Sequence, residues 1–269
     1  MSFGLVCAAL VACGPAQTRL DPDASQKRYL LGADYFNKNL IEPALVELMK
    51  SVELDPQNAD AHNLLGLVFL RRAADADELS TRTQCLKGEE LKLEKQEMDK
   101  QLASADEQFK KAIAIRPNFS EALNNLAVVA LKLGRYDEAV QYDTQALSNI
   151  VYREPYVAQG NLGWAYLKKG ERARASQALR QALFDQPKFC VGHYRLAKVY
   201  YDEGQWDQAA GELNQVLSDK ACPIQEAYQL AGLVAIRKDD RARAAELFEK
   251  CVQLAPQSCL ARACTLAAN

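Results

Sequence analysis

Histidine is nearly missing from this 269-residue chain, which holds only His62 and His193, and its eight cysteines include no CxxC pair. A structural zinc site is therefore not expected, and no other metal centre or cofactor is read from the sequence. An excess of one charge is missing too, since 33 Lys and Arg stand against 35 Asp and Glu for a net charge of −2. That balance argues against nucleic acid as a partner, which selects a concentrated basic surface. Glycine (13) and proline (9) are sparse while Ala, Leu, Gln, Glu and Lys abound, which excludes a sheet-rich fold and predicts an all-α protein. Beyond Leu10 no apolar run approaches the ~20 residues that cross a bilayer. There is no Gly-rich phosphate loop, no HExxH and no nucleophile elbow. No catalytic residue is assigned, and the chain is expected to be a binding protein and not an enzyme.

What is present begins with residues 1–12, "MSFGLVCAALVA", which carry no charge and run into "CGP". The apolar stretch and the small residues before Cys13 fit a secretory signal, although the usual basic start is missing. Leu10, Val11, Ala12 and Cys13 resemble the bacterial lipobox, which implies cleavage before Cys13 and a lipid on its thiol. Residues 13–24 then read as the lipidated Cys and a flexible tether, with Pro15 and Pro22 opposing helix. The alternative is a retained apolar segment docked on the first helix, which would make the protein a soluble cytosolic adaptor.

From residue 25 the chain repeats itself at a period of 34. Starts fall at Ser25, Ala59, Ser120, Tyr156, Cys190 and Gln225. The eighth position is small every time: Gly32, Gly66, Ala127, Gly163, Ala197 and Gly232. The twentieth is always alanine: Ala44, Ala105, Ala139, Ala175, Ala209 and Ala244. Two helices that cross closely need small residues at the crossing, and Pro56, Pro117, Pro187 and Pro256 end the second helix. The pattern resembles the tetratricopeptide repeat. It implies a right-handed superhelical solenoid of six repeats over residues 25–258, with residues 259–269 as a short capping helix.

The starts at 59 and 120 are 61 apart, 27 more than one period. Leu91, Met98, Leu102, Ala105, Phe109 and Ala112 recur at seam spacing on one arm, and Leu65, Phe69, Ala76 and Leu79 on the other. A helical hairpin inserted at roughly 72–100 follows, turning near Cys85 to Gly88.

The repeat family binds partners in its concave groove. The candidate contacts there are Tyr29, Leu67, Asn124, Val128, Trp164, Tyr194, Lys198 and Leu233, a largely apolar and aromatic row suited to a partner's helix or strand. Position 12 (Phe36, Leu70, Leu131, Leu167, Tyr201 and Ile236) is expected to pack mostly between neighbouring first helices. The carboxylate clamp of cytosolic cochaperones is absent, because no position-9 residue is Asn. His62 and His193 occupy the fourth position, where the family carries a bulky Trp, and are expected to pack there. Repeat starts and ends share one edge, so Cys190 with Cys222, or Cys222 with Cys259, come within bridging reach. One bridge is expected, with Cys190–Cys222 preferred and Cys251 read as an inert packing residue.

A lipobox, a tether and six such repeats are together similar to the type IV pilus pilotins, the PilF/PilW/Tgl group of lipoproteins. That resemblance implies an outer-membrane lipoprotein on the periplasmic face, held by a lipid anchor. Its partner would be the pilus secretin, whose localisation and multimer assembly it promotes for pilus extrusion and motility. A rival reading is a scaffold lipoprotein in general outer-membrane protein assembly.

Overall fold

A computed structural model describes residues 20–268. Cys13, the expected signal segment and the first part of the tether lie outside the described residues. Within them the chain forms thirteen α-helices and no strand. The first twelve pair as α1 (Pro22–Asn37) with α2 (Ile41–Leu54), α3 (Ala59–Asp77) with α4 (Gly88–Ile115), and α5 (Ser120–Lys132) with α6 (Tyr136–Leu147). Next come α7 (Pro155–Lys168) with α8 (Arg172–Asp185), α9 (Cys190–Asp202) with α10 (Trp206–Ser218), and α11 (Gln225–Arg237) with α12 (Arg241–Leu254). Helix α13 (Cys259–Ala268) packs on α12 and ends the stack.

Each pair touches the next, first helix against first helix and second helix against the following first helix. The crossing inside each pair is as tight as the small residues require. A Cβ added to Gly32 would sit 2.7 Å from Leu48, one on Gly66 2.6 Å from Phe109, one on Gly163 2.5 Å from Leu179, and one on Gly232 2.5 Å from Phe248. The alanines at position 20 are fully or almost fully buried. Phe109 and Phe248 fill the crossings from the other side, and burying each contributes about 2–3 kcal/mol. Five of the six turns within pairs end their first helix on a left-handed residue: Asn39, Gly134, Gly170, Gly204 and Asp239. That conformation caps the helix by returning the chain to its last carbonyls, and it favours Gly or Asn. Helices α2, α4, α8 and α12 each stop two residues before Pro56, Pro117, Pro187 and Pro256.

Helix α1 starts earlier than the sequence pattern suggests, so residues 22–24, assigned to the tether, are helical. Asp21 accepts a hydrogen bond from the Ala24 amide at 2.9 Å, and Pro22 occupies the first turn, where its missing N–H costs nothing.

The insertion of the second pair is a hairpin built by lengthening α3 and α4 to 19 and 28 residues. Its outgoing seam differs from the sequence reading. A π-helical turn over Glu78–Thr83 follows α3 and shifts the register by one residue. Leu79 is thereby turned outward to 37 % exposure, while Ala73 and Ser80 are buried. Gln84 and Cys85 close the hairpin, with Cys85 in the left-handed region at φ 48°.

Among the described residues three disulfides stand where a single bridge is expected. Cys190–Cys222 forms with Cα atoms 6.2 Å apart and ties the start of pair five to its closing turn. Cys251 is not an inert packing residue but bridges to Cys264, holding α13 on α12. Cys259 pairs with Cys85 across 174 residues, and not with Cys222. The tip of the hairpin in pair two is thereby bonded to the helix that follows pair six. Pairs two to six, α13 and the hairpin therefore form one closed circuit of contacts.

Candidate partner groove

Three of the expected contact residues gather on the first helices α7 and α9. Trp164 on α7 lies 6.4 Å from Tyr194 on α9, ring centre to ring centre. Lys198, one turn after Tyr194, pairs with Asp202 and lies 5.3 Å from the Tyr201 ring. At the amino-terminal end Tyr29 and Leu67 pack half-buried in the cores of pairs one and two. Val128 and Leu233 are half-buried on α5 and α11. Asn124 is buried, and its side-chain oxygen accepts from Asn161 at 3.0 Å. Among the position-12 residues, Phe36, Leu70, Leu131, Leu167 and Tyr201 pack on the core, while Ile236 is exposed.

Two features of this surface escaped sequence reasoning. One is a ladder of amides between neighbouring first helices. Asn125 donates to Asn63 at 3.1 Å, Asn161 to Asn124, and Arg195 to Asn161 at 3.0 Å. In the first two contacts position 5 of one pair meets position 6 of the next, which was the readable signal, whereas Arg195 reaches Asn161 from position 6 to position 6. The guanidinium of Arg195 lies 5.7 Å from the Trp164 ring, and Lys168 covers the same ring at 4.8 Å. Burial lowers the Arg195 pKa to about 10, and it raises that of Tyr194 to about 12. Both therefore keep their ordinary neutral-pH forms: a cation and an uncharged phenol flanking an indole.

The second is Asp143 on α6. It stands at position 24, which is Leu48, Phe109, Leu179, Leu213 and Phe248 in the other pairs. It is fully buried, and neither carboxylate oxygen has a hydrogen-bond partner among the described residues. Desolvation pushes its pKa well above the usual carboxylate value, opposed only by the charge of Arg195.

Both histidines are structural clamps of one design. His62 reaches Gln108 from Nδ1 at 2.8 Å and the Pro56 carbonyl from Nε2 at 3.1 Å. His193 reaches Glu212 from Nδ1 at 2.6 Å and the Pro187 carbonyl from Nε2 at 2.9 Å. Each ties the preceding proline turn to the second helix of its own pair. The Glu212 hydrogen bond holds the His193 pKa above its usual 6.5. The raised value means the clamp's contribution is complete below about 6.5 and is lost as pH rises through the folded-state pKa. His193→Gln is expected to flatten the decline in thermal midpoint between pH 6 and 8. An unchanged pH slope would refute the clamp's ionic character.

Tetratricopeptide-repeat profiles match residues 109–141, 156–183 and 194–258. This is a tetratricopeptide-repeat protein. Repeat solenoids of this kind are interaction scaffolds and not enzymes. Over 196 residues the chain is 28 % identical to the type IV pilus assembly protein PilF of Pseudomonas aeruginosa, aligning 71 % of this chain with 66 % of that one. The match thus spans just under two thirds of the relative's length. The solved structure of P. aeruginosa PilF superposes with a TM-score of 0.68 at 23 % identity, covering 91 % of this chain and 97 % of the other. PilW, described as a widely conserved type IV pilus biogenesis factor, superposes at 0.69 and 22 % identity, covering 90 % and 99 %. At those identities the two superpositions speak for the fold alone. No helix among the described residues is long and apolar enough to cross a membrane.

Proposed function

We propose that this protein is a lipid-anchored pilotin of a type IV pilus system, placed on the periplasmic face of the outer membrane. Its groove holds an exposed apolar segment of the secretin subunit until the secretin ring closes. The observation that carries the reading is the 28 % identity to PilF across 71 % of this chain. The lipobox at Cys13 and the aromatic groove around Trp164 and Tyr194 support it. The mechanism is binding without chemistry. The indole and phenol supply apolar contact, and the exposed Lys168 beside them supplies a donor for a partner's backbone carbonyl.

Replacing Trp164 with Glu puts a carboxylate on the groove surface and is expected to abolish secretin multimers on a non-denaturing gel. Far-UV circular dichroism and membrane fractionation of the variant should stay unchanged. Normal multimers would refute the groove. Loss of outer-membrane β-barrels in general, and not of the secretin alone, would instead assign the protein to general outer-membrane assembly.

A further inference from the structure

The edge where successive pairs meet carries apolar side chains that the repeat pattern does not call for. Positions 31 and 32 are Asp55–Pro56, Arg116–Pro117, Gln186–Pro187, Lys220–Ala221 and Ala255–Pro256 elsewhere, but Ile150–Val151 between pairs three and four. Position 29 is Glu, Ala, Ser, Ser and Gln in five pairs, but Phe184 in the fourth. Ile150 is 98 % exposed, Val151 76 % and Phe184 82 %. All three lie at one end of the fourth pair, because α7 begins where antiparallel α8 finishes. The turn presenting them is fixed. Asn149 donates to Ser120 at 2.9 Å and accepts from the Val151 amide at 3.2 Å, and its carbonyl accepts from the Tyr152 amide at 3.1 Å. The side chains are thus held out by a pinned backbone. Arg153 and Lys188 flank them, both exposed and neither in an ion pair among the described residues. The acids adjacent in sequence are Glu154, bonded to Tyr156, and Asp185, which accepts from Gln181 at 2.9 Å.

We infer that this edge rests in the interfacial layer of an anionic bilayer, with Ile150, Val151 and Phe184 inserted among the headgroups. Rigidly exposed apolar side chains flanked by unpaired cations are the chemistry of an interfacial membrane contact. The chain outside the described residues points to the same occupant. It joins at Leu20, and the Asp21 amide donates to the Leu54 carbonyl at 2.9 Å, so it leaves from the pair-to-pair edge. Cys13 lies seven positions before Leu20, at most about 25 Å of chain, so a lipid on Cys13 keeps pair one close to the membrane at the same kind of edge, where first helices start and second helices end. The inference rests on the anchored reading proposed above.

The test uses the full lipidated chain on phosphatidylethanolamine–phosphatidylglycerol vesicles whose acyl chains carry bromine, which quenches nearby indole emission. The Phe184→Trp variant is expected to gain emission that the brominated vesicles quench at least twofold. A control variant, Leu266→Trp, lies on the far part of α13 at 79 % exposure and should be quenched no more than the unaltered chain. Adding Ile150→Ser and Val151→Ser to Phe184→Trp should remove most of the extra quenching while the chain still floats with the vesicles. Flotation with equal quenching of both probes overturns this inference and leaves the anchor intact. A blue shift of the Phe184→Trp emission with purified secretin, without lipid quenching, overturns it in favour of a protein contact. A chain that does not float overturns the anchor and this inference together.

Discussion

Replacing Cys85 and Cys259 with Ser should lower the thermal midpoint by roughly 10 °C and make the hairpin the first segment cut by trypsin, at Lys87, Lys92 and Lys95. The bridge they form closes 174 residues, whereas the other two close 32 and 13. A cross-link restricts the unfolded chain more the longer its loop, and one of this length stabilises by about 3–5 kcal/mol. In a chain of this size each kcal/mol is worth about 2–4 °C. Packing offers little substitute. Among the described residues of the tip beyond α3 only Ser80 and Cys85 are buried, while Leu79 and Leu93 are exposed. Cys85 is also held in a left-handed conformation that a side chain adopts only under constraint. Because repeats contact mainly their neighbours, the loss should appear first as detachment of the hairpin and fraying of α13, ahead of the pairs between them. A midpoint within 2 °C of the unaltered chain, with unchanged cleavage, would show that packing alone holds the hairpin.

The Asp143→Leu variant should be more stable than the natural chain by about 2 kcal/mol at neutral pH. A buried polar group without a partner costs about 1–3 kcal/mol, and leucine already fills this position opposite an alanine in pair five, as Leu213 against Ala197. The pH dependence gives a second signature. A carboxyl whose folded-state pKa is raised keeps its proton where the unfolded chain has released it. Stability therefore falls as pH rises from about 4, the unfolded value, toward the raised one. Asp143→Leu and Asp143→Asn should both remove that decline. The Asn variant separates the charge from the packing, since it leaves Arg195 without its carboxylate but adds no apolar volume. The His193 decline begins only above about 6.5, so the two are resolved by the pH at which each sets in. A drop in stability for both Asp143 variants at pH 7 would mean that the attraction to Arg195 outweighs the burial cost.

The sequence by itself determined what neighbours determine. Glycine or alanine at position 8 and alanine at position 20 fixed where helices cross, because the space at a crossing depends only on the residues in it. Prolines marked the ends of four second helices, and an excess of 27 residues placed a hairpin in the second pair. Trp164 and Tyr194 were legible as groove residues by position alone, and the structure sets them 6.4 Å apart. Arg195 was not, since at position 6 it reads as one more polar residue. Its place beside Trp164 is set by its hydrogen bond to Asn161 on the neighbouring first helix. The burial of Asp143 likewise needed the full enclosure of pairs three to five. The Cys85–Cys259 link lay furthest from view. It depends on the curvature summed from pair two to pair six, together with the reach of the hairpin, and no single period carries that sum. Repeats write their contacts into each period, whereas the closing of the solenoid on itself belongs to the whole stack and only the tertiary structure decides it.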